Sequence, residues 1–87
     1  MISNIYHVTL RMILDIYYKD DKVTEQHWFR DGNHHRDGDQ PAIIKYNDGM
    51  IVAQYWYRDN KMYREIGPVC IMVKNRTILN YWRGPHG

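Results

Sequence analysis

Shifted against itself by 28 residues, the chain matches Ile16 with Ile44, Tyr18 with Tyr46, Asp20 with Asp48, Gln26 with Gln54, Trp28 with Trp56, Arg30 with Arg58, Asp31 with Asp59 and Arg36 with Arg64. Beyond Arg36 the offset falls to 27, pairing Pro41 with Pro68, Ile44 with Ile71 and Ile51 with Ile78, and then to 26, pairing Trp56 with Trp82. Drift by one residue at a time suits a repeat of strands and turns, where a loop or bulge absorbs the change; a helical repeat would be thrown out of phase. The 87 residues therefore hold two to three copies of one unit, expected at roughly 5–30, 31–58 and 59–83 with a tail at 84–87, all within one domain spanning 1–87.

Each unit reads as β-hairpins. Ile5 to Lys19 lacks Gly and Pro and alternates apolar residues at Val8, Leu10, Met12, Leu14, Ile16 and Tyr18, which predicts one long strand or two run together, with a helix over Val8 to Leu14 as the rival. Asp20-Asp21, Asp31-Gly32, Asp48-Gly49, Asp59-Asn60 and a point near Asn75-Arg76 are the turns, since Gly, Asp and Asn tolerate positive φ. A two-residue loop at Asp20-Asp21 places Tyr18 opposite Val23, Ile16 opposite Glu25, Leu14 opposite His27 and Ile13 opposite Trp28. The loop at Asp31-Gly32 places Trp28 opposite His35 and Phe29 opposite His34. The loop at Asp48-Gly49 places Tyr46 opposite Ile51, Ile44 opposite Ala53 and Ala42 opposite Tyr55, predicting one apolar, buried side. Pro41 and Gly67-Pro68 open new units, because proline has no amide hydrogen for a ladder interior. Thr77 to Arg83 is the last strand.

Composition narrows the function classes. Eight Tyr and three Trp against one Phe favour half-buried sheet faces with polar ends. A net charge of +2 gives no electrostatic support to nucleic-acid or membrane binding. The single Cys70 rules out an internal disulfide and leans toward a reducing compartment. There is no apolar run of about 20 residues and no basic segment leading into an apolar one, so a soluble intracellular protein is expected.

The run W-[FY]-R-D-G-x-x-H-R-x-x-x-x-P-A-x-I from Trp28 to Ile44, with W-Y-R-D-N-K-x-Y-R-x-x-G-P-V-x-I from Trp56 to Ile71, resembles the variant MORN repeats known from bacteria, phages and large DNA viruses of amoebae. The resemblance covers about residues 13 to 83. It rests on Trp28, Asp31, Gly32, His35, Arg36, Pro41, Trp56, Asp59, Asn60, Tyr63, Arg64, Gly67, Pro68 and Trp82. It implies an all-β protein, an elongated single-layer antiparallel meander of repeated hairpins, used as a scaffold and not as a catalyst; a viral source would place it in host cytoplasm or virion. The chain departs from the pattern where no Gly-Pro precedes Leu14 and where Asn60 and Tyr63 stand in place of Gly and His.

Candidate chemistry is sparse. His34 and His35 are neighbours on a strand and point to opposite faces, so they do not chelate one ion; His27 and His35 align with Tyr55 and Tyr63, as packing positions would. Asp31, Asp37 and Asp39 lack the spacing and terminal Glu of a calcium loop and read as turn residues. Ser3 and Cys70 have no activating partner in view. No catalytic, metal or cofactor site is expected. Trp28, Arg30, Trp56 and Arg58 on one face carry an alternative, stacking of single-stranded bases, against which Trp would instead cap each hairpin while Arg stacks on it or pairs with Asp. A small toxin-like enzyme is the other alternative.

A single-layer sheet has two open edges, and edges recruit strands. Ile5, Val8 and Leu10 at one end and Ile78, Leu79 and Trp82 at the other are the expected self-association residues, giving a homodimer by edge pairing or segment exchange, with a further protein partner left open.

Overall fold

The computed structural model describes residues 2–82, so Arg83 and the expected tail at 84–87 lie outside the described residues. The strands are β1 (Ile2–His7), β2 (Met12–Lys19), β3 (Lys22–Arg30), β4 (Asn33–His34), β5 (Ile43–Asn47), β6 (Met50–Tyr55), β7 (Tyr57–Arg58), β8 (Lys61–Met62), β9 (Cys70–Lys74) and β10 (Thr77–Tyr81). The fold is all-β and antiparallel. The main sheet runs β1-β2-β3-β5-β6-β9-β10, β4 pairs with the end of β3, and β7 pairs with β8 as a separate short hairpin.

All five expected turns form. Asp20 and Asp21, Asp31 and Gly32, Asp48 and Gly49, Asp59 and Asn60, and Asn75 and Arg76 each have both central residues at positive φ, between 50° and 82°. That is the handedness that matches the twist of two strands joined by a two-residue loop. A further break interrupts Ile5 to Lys19: the Val8 and Thr9 amides both reach the Met12 carbonyl, at 2.9 and 3.3 Å, and the Thr9 hydroxyl accepts from the Arg11 and Met12 amides. The segment is therefore two strands, and Met12 to Leu14 is strand, not helix. Alternation reads straight through this break because Thr9 supplies by side-chain bonding what Gly or Pro supplies elsewhere.

The expected registers hold near the turns and then slip by one. Tyr18 faces Val23, but beyond a bulge Tyr17 faces Glu25, Ile16 faces Gln26, Leu14 faces Trp28 and Ile13 faces Phe29. Likewise Tyr46 faces Ile51, whereas Lys45 faces Ala53, Ile44 faces Gln54 and Ile43 faces Tyr55. The pairings of Leu14 with His27, Ile44 with Ala53 and Ala42 with Tyr55 are thus corrected, since an extra residue on the return strand shifts every later partner. Ile44 and Ala53 consequently lie on opposite faces. Both are buried, as are Ala42, Trp56, Val69 and Cys70, so the central strands draw their small core from both sides of the sheet. Phe29 does face His34 as expected.

The drifting repeat offset now has a structural cause. From Arg36 to Pro41 there are four intervening residues and from Arg64 to Pro68 three, which takes the offset from 28 to 27. The third hairpin pairs β9 with β10 in unbroken register from Lys74 and Thr77 to Cys70 and Tyr81. It lacks the extra residue that Val52 provides in the second, which takes the offset from 27 to 26. Deletion of Val52 should therefore leave a cooperatively folding protein, with the second hairpin converted to the unbulged form at a cost of about 1–2 kcal/mol in denaturant unfolding. Loss of the cooperative transition would contradict this reading.

Candidate functional site

The repeat-defining residues meet where each long strand divides. The Trp28 amide donates to the Ala42 carbonyl (2.7 Å) while the Trp28 carbonyl accepts from the His35 amide (3.1 Å); Trp56 does the same with Val69 (2.9 Å) and Tyr63 (3.1 Å). Each Trp thus bonds the next unit's main strand on one side and the return of its own short hairpin on the other. The short hairpins, β3 end with β4 and β7 with β8, leave the main sheet at these points.

The Trp side chains are covered. The Arg36 guanidinium carbon lies 3.7 Å from the Trp28 ring centre and that of Arg64 lies 4.0 Å from Trp56. Each Arg also bonds the carbonyl of the proline that opens the next strand, Arg36 to Pro41 at 3.3 Å and Arg64 to Pro68 at 3.1 Å. Of the other two motif arginines, Arg30 pairs with Asp, the second of the two expected roles, reaching Asp37 at 3.7 Å and Asp59 at 3.6 Å, whereas Arg58 lies over Tyr63 and not over a Trp. The division follows from the branch, because the stacking Arg comes back from the short hairpin and is not on the Trp's own strand.

A second set of contacts joins unit to unit. Asp39 takes a two-point bond from Arg64, at 2.8 and 3.2 Å, and its backbone carbonyl accepts from the Trp56 indole at 3.1 Å. His35, 1% exposed, accepts the Asp59 amide at Nδ1 (3.2 Å), so its proton sits on Nε2 and faces Asp37 at 2.8 Å. The Asn60 amide donates to the His34 carbonyl, the Asn60 side chain accepts the His34 amide, and its amide nitrogen reaches Asn33. The Asp59-Asn60 turn is thereby seated on β4 of the preceding unit. Asn60 in place of Gly is more than a turn residue: its side chain completes the seat. At the preceding junction the Asp31 amide bonds the Arg11 carbonyl and the Arg11 guanidinium pairs with the Asp31 carboxylate.

These partners set the electrostatics. Asp37 is held below the usual carboxylate range by its bond to His35, with Arg30 and Arg58 adding to it, and Asp39 by its bond to Arg64. Burial pushes the Cys70 thiol up, as for a packed small hydrophobe. His34 and His35 do point to opposite faces. His34 instead meets His27 on one face, Nε2 to Nδ1 at 3.1 Å, with Phe29 and Tyr57 alongside and Glu25 on the far nitrogen of His27 at 2.9 Å. That pairing was hidden in the sequence because the two lie diagonally across a turn. Burial first, then the neighbouring His27, pulls His34 below its ordinary 6.5, with a hydrogen bond to Asn60 opposing.

A cleft of about 250 Å³ opens between the loop that follows β4 and the second short hairpin, bounded by Arg36, Asp37, Asp39, Trp56, Arg58 and Arg64. Its two aspartates are already engaged with His35, Arg30 and Arg64. Among the described residues no three His, Cys, Asp or Glu side chains are arranged to hold a metal ion. Of the expected self-association residues, Ile5 (61% exposed), Val8, Leu10 (102%), Ile78 and Trp82 are exposed and Leu79 is half-buried. They lie on or beside the two edge strands, β1 and β10. Among the described residues no helix is long and apolar enough to cross a membrane. In comparisons with protein-family models, curated proteins and solved structures, nothing matches the chain.

Two outcomes follow. Gly67 has φ 122°, outside the left-handed region that Asn and Asp reach, and an added Cβ would fall 2.7 Å from the Arg64 guanidinium carbon; Gly49 has φ 79° and open space. Gly49→Ala should cost about 1 kcal/mol of backbone strain and Gly67→Ala roughly twice that or more, since Arg64 must also leave Trp56; equal unfolding midpoints would contradict the Arg64 seat. Because the fold disfavours protonated His34, its contribution is complete above pH 6.5 and is lost as pH falls below that, whereas the Asp37 and Asp39 contributions persist until pH falls below about 3.8. The urea midpoint should therefore drop between pH 7 and pH 5 in the wild type, and His34→Gln should flatten the drop.

Proposed function

We propose that the chain is a MORN-like repeat module, non-catalytic, that works through protein contacts as a homo-oligomeric scaffold. The observation that carries this reading is the distribution of its side chains. The polar groups of the repeat motif, His35, Asn60 and Arg64, together with Asp39, are spent on contacts between units. Of the exposed large apolar residues described, Ile2, Ile5, Tyr6, Val8, Leu10, Ile78, Tyr81 and Trp82 lie on or beside the two open edges of the sheet, and Met50, Ile51, Met62, Ile66 and Val73 lie elsewhere. A protein built this way offers backbone and apolar surface to other chains and little convergent chemistry to a substrate.

The same observations weigh against stacking of nucleic-acid bases. Trp56 is buried and both motif rings lie under a guanidinium, so no bare aromatic platform is presented there. Covering the apolar side chains at one edge is favourable by about 0.8 kcal/mol per buried CH₂, which is substantial beside the roughly 5 kcal/mol that holds a small domain folded.

Light scattering over a wide dilution series should return a dimer mass that persists to low concentration, and single-stranded oligonucleotides at low salt should not shift it. A monomer throughout would overturn the homo-oligomeric part of the reading; salt-sensitive oligonucleotide binding would overturn the assignment to protein contacts.

A further inference from the structure

We propose that the chain dimerises through β1, which pairs with β1 of a second copy in antiparallel fashion across a two-fold axis at Ile5. This rests on the reading of the chain as a self-associating module and adds which edge is used, in which direction and in which register.

Direction follows from strand parity. Every neighbouring pair along β1-β2-β3-β5-β6-β9-β10 is antiparallel, and an odd number of strands leaves both edges running the same way. Joining β10 of one copy to β1 of the next would therefore make a parallel pair, the less stable kind, in a head-to-tail contact that repeats without closing unless its rotation happens to form a ring. An edge that meets its own copy across a two-fold axis normal to the sheet continues the antiparallel pattern and closes.

β1 and β10 share two features of an open edge: each keeps an unshifted register with its neighbour, and neither carries Lys, Arg, Asp, Glu or Pro, the residues with which exposed edges are usually blunted. β1 is the better suited because it is the longer, 6 residues against 5, and presents the larger exposed apolar set. Ile2, Ile5 and Tyr6 are exposed on it and Val8 and Leu10 beside it, whereas the apolar run on β10 includes half-buried Leu79.

Register follows from the backbone. The Val8 amide bonds the carbonyl of Met12, its direct partner across β1 and β2. Because bonded and unbonded pairs alternate along an antiparallel ladder, Ser3, Ile5 and His7 turn their amides and carbonyls to the open side. Matching faces across the two-fold axis requires these residues to meet one another. Centring the pair on Ile5 engages all three, with Ile5 against Ile5 of the second copy and Ser3 against His7. Each Tyr6 then lies across from Asn4 on the other face.

Five variants of the full chain test this by light scattering and disulfide trapping, with the β-sheet circular dichroism confirming that each is folded. Ile5→Pro removes an outward amide that β2 does not use, and Ile5→Lys sets two charges face to face. Each should raise the dimer dissociation constant by at least about tenfold, the equivalent of ~1.4 kcal/mol. Ile5→Cys should form an intermolecular disulfide under mild oxidation, because residues opposite each other in a bonded pair have Cα atoms about 5.5 Å apart, while Ile2→Cys should not. A dimer that withstands both Ile5 substitutions and is dissociated by Ile78→Lys would overturn the choice of β1 and leave the self-associating reading standing. A mass that climbs without limit would overturn the closed two-fold pair, and a wild type that is monomeric throughout would overturn both.

Discussion

The structure depends on what the backbone of two tryptophans does. At Trp28 and at Trp56 the amide belongs to one hairpin and the carbonyl to another, so a long strand can leave the main sheet without abandoning its hydrogen bonds. Unpaired backbone groups at such a fork would cost about 1–3 kcal/mol each if buried. The side chain makes the fork permanent. The Arg that returns along the short hairpin lies on its ring and bonds the next proline carbonyl. A proline serves well there because its carbonyl remains available while its missing amide would have had no partner.

From the fork, the rest of the architecture follows as a way of stabilising a sheet with little interior. The buried apolar set is short, and two of its members are alanines. Buried and half-buried polar groups compensate because nearly all are partnered: His35 between Asp37 and the Asp59 amide, Arg64 between Asp39 and the Pro68 carbonyl. The exposed ion pairs, such as Lys22 with Asp48, add little by comparison. Coupling between units therefore runs through directional hydrogen bonds, which fix the spacing of the stack, and the open edges of the sheet remain as its reactive surface.

Much of this was legible in the residues and some was not. The turns were, because Asp-Gly, Asp-Asn and Asn-Arg in repeating positions have few other uses. The repeat offsets even recorded the loop contraction before Pro68 and the missing bulge in the last hairpin. The bulges at Thr24 and Val52 were not legible, since an extra residue in a strand of mixed polarity leaves no mark on alternation, and the misjudged pairing of Ile44 followed from that. Arg30 and Arg58 drew attention by standing two residues from Trp, yet the stacking partners are Arg36 and Arg64, brought back by a hairpin turn. Asn60 was read as a residue that tolerates a turn, and its side-chain role depends on β4 of the neighbouring unit, which no local pattern encodes.

Hydrogen exchange under native conditions tests most directly whether the forks bind the hairpins into one cooperative body. The amides of Trp28 and Trp56, bonded to Ala42 and Val69 of the next unit, and those of Ala42 and Val69, bonded within their own hairpins to Tyr55 and Tyr81, should be among the slowest to exchange and should share one opening free energy, that of global unfolding. If instead Trp28 and Trp56 opened with distinct free energies well below the global value, each hairpin would be folding by itself and the fork could not be what holds the repeat together.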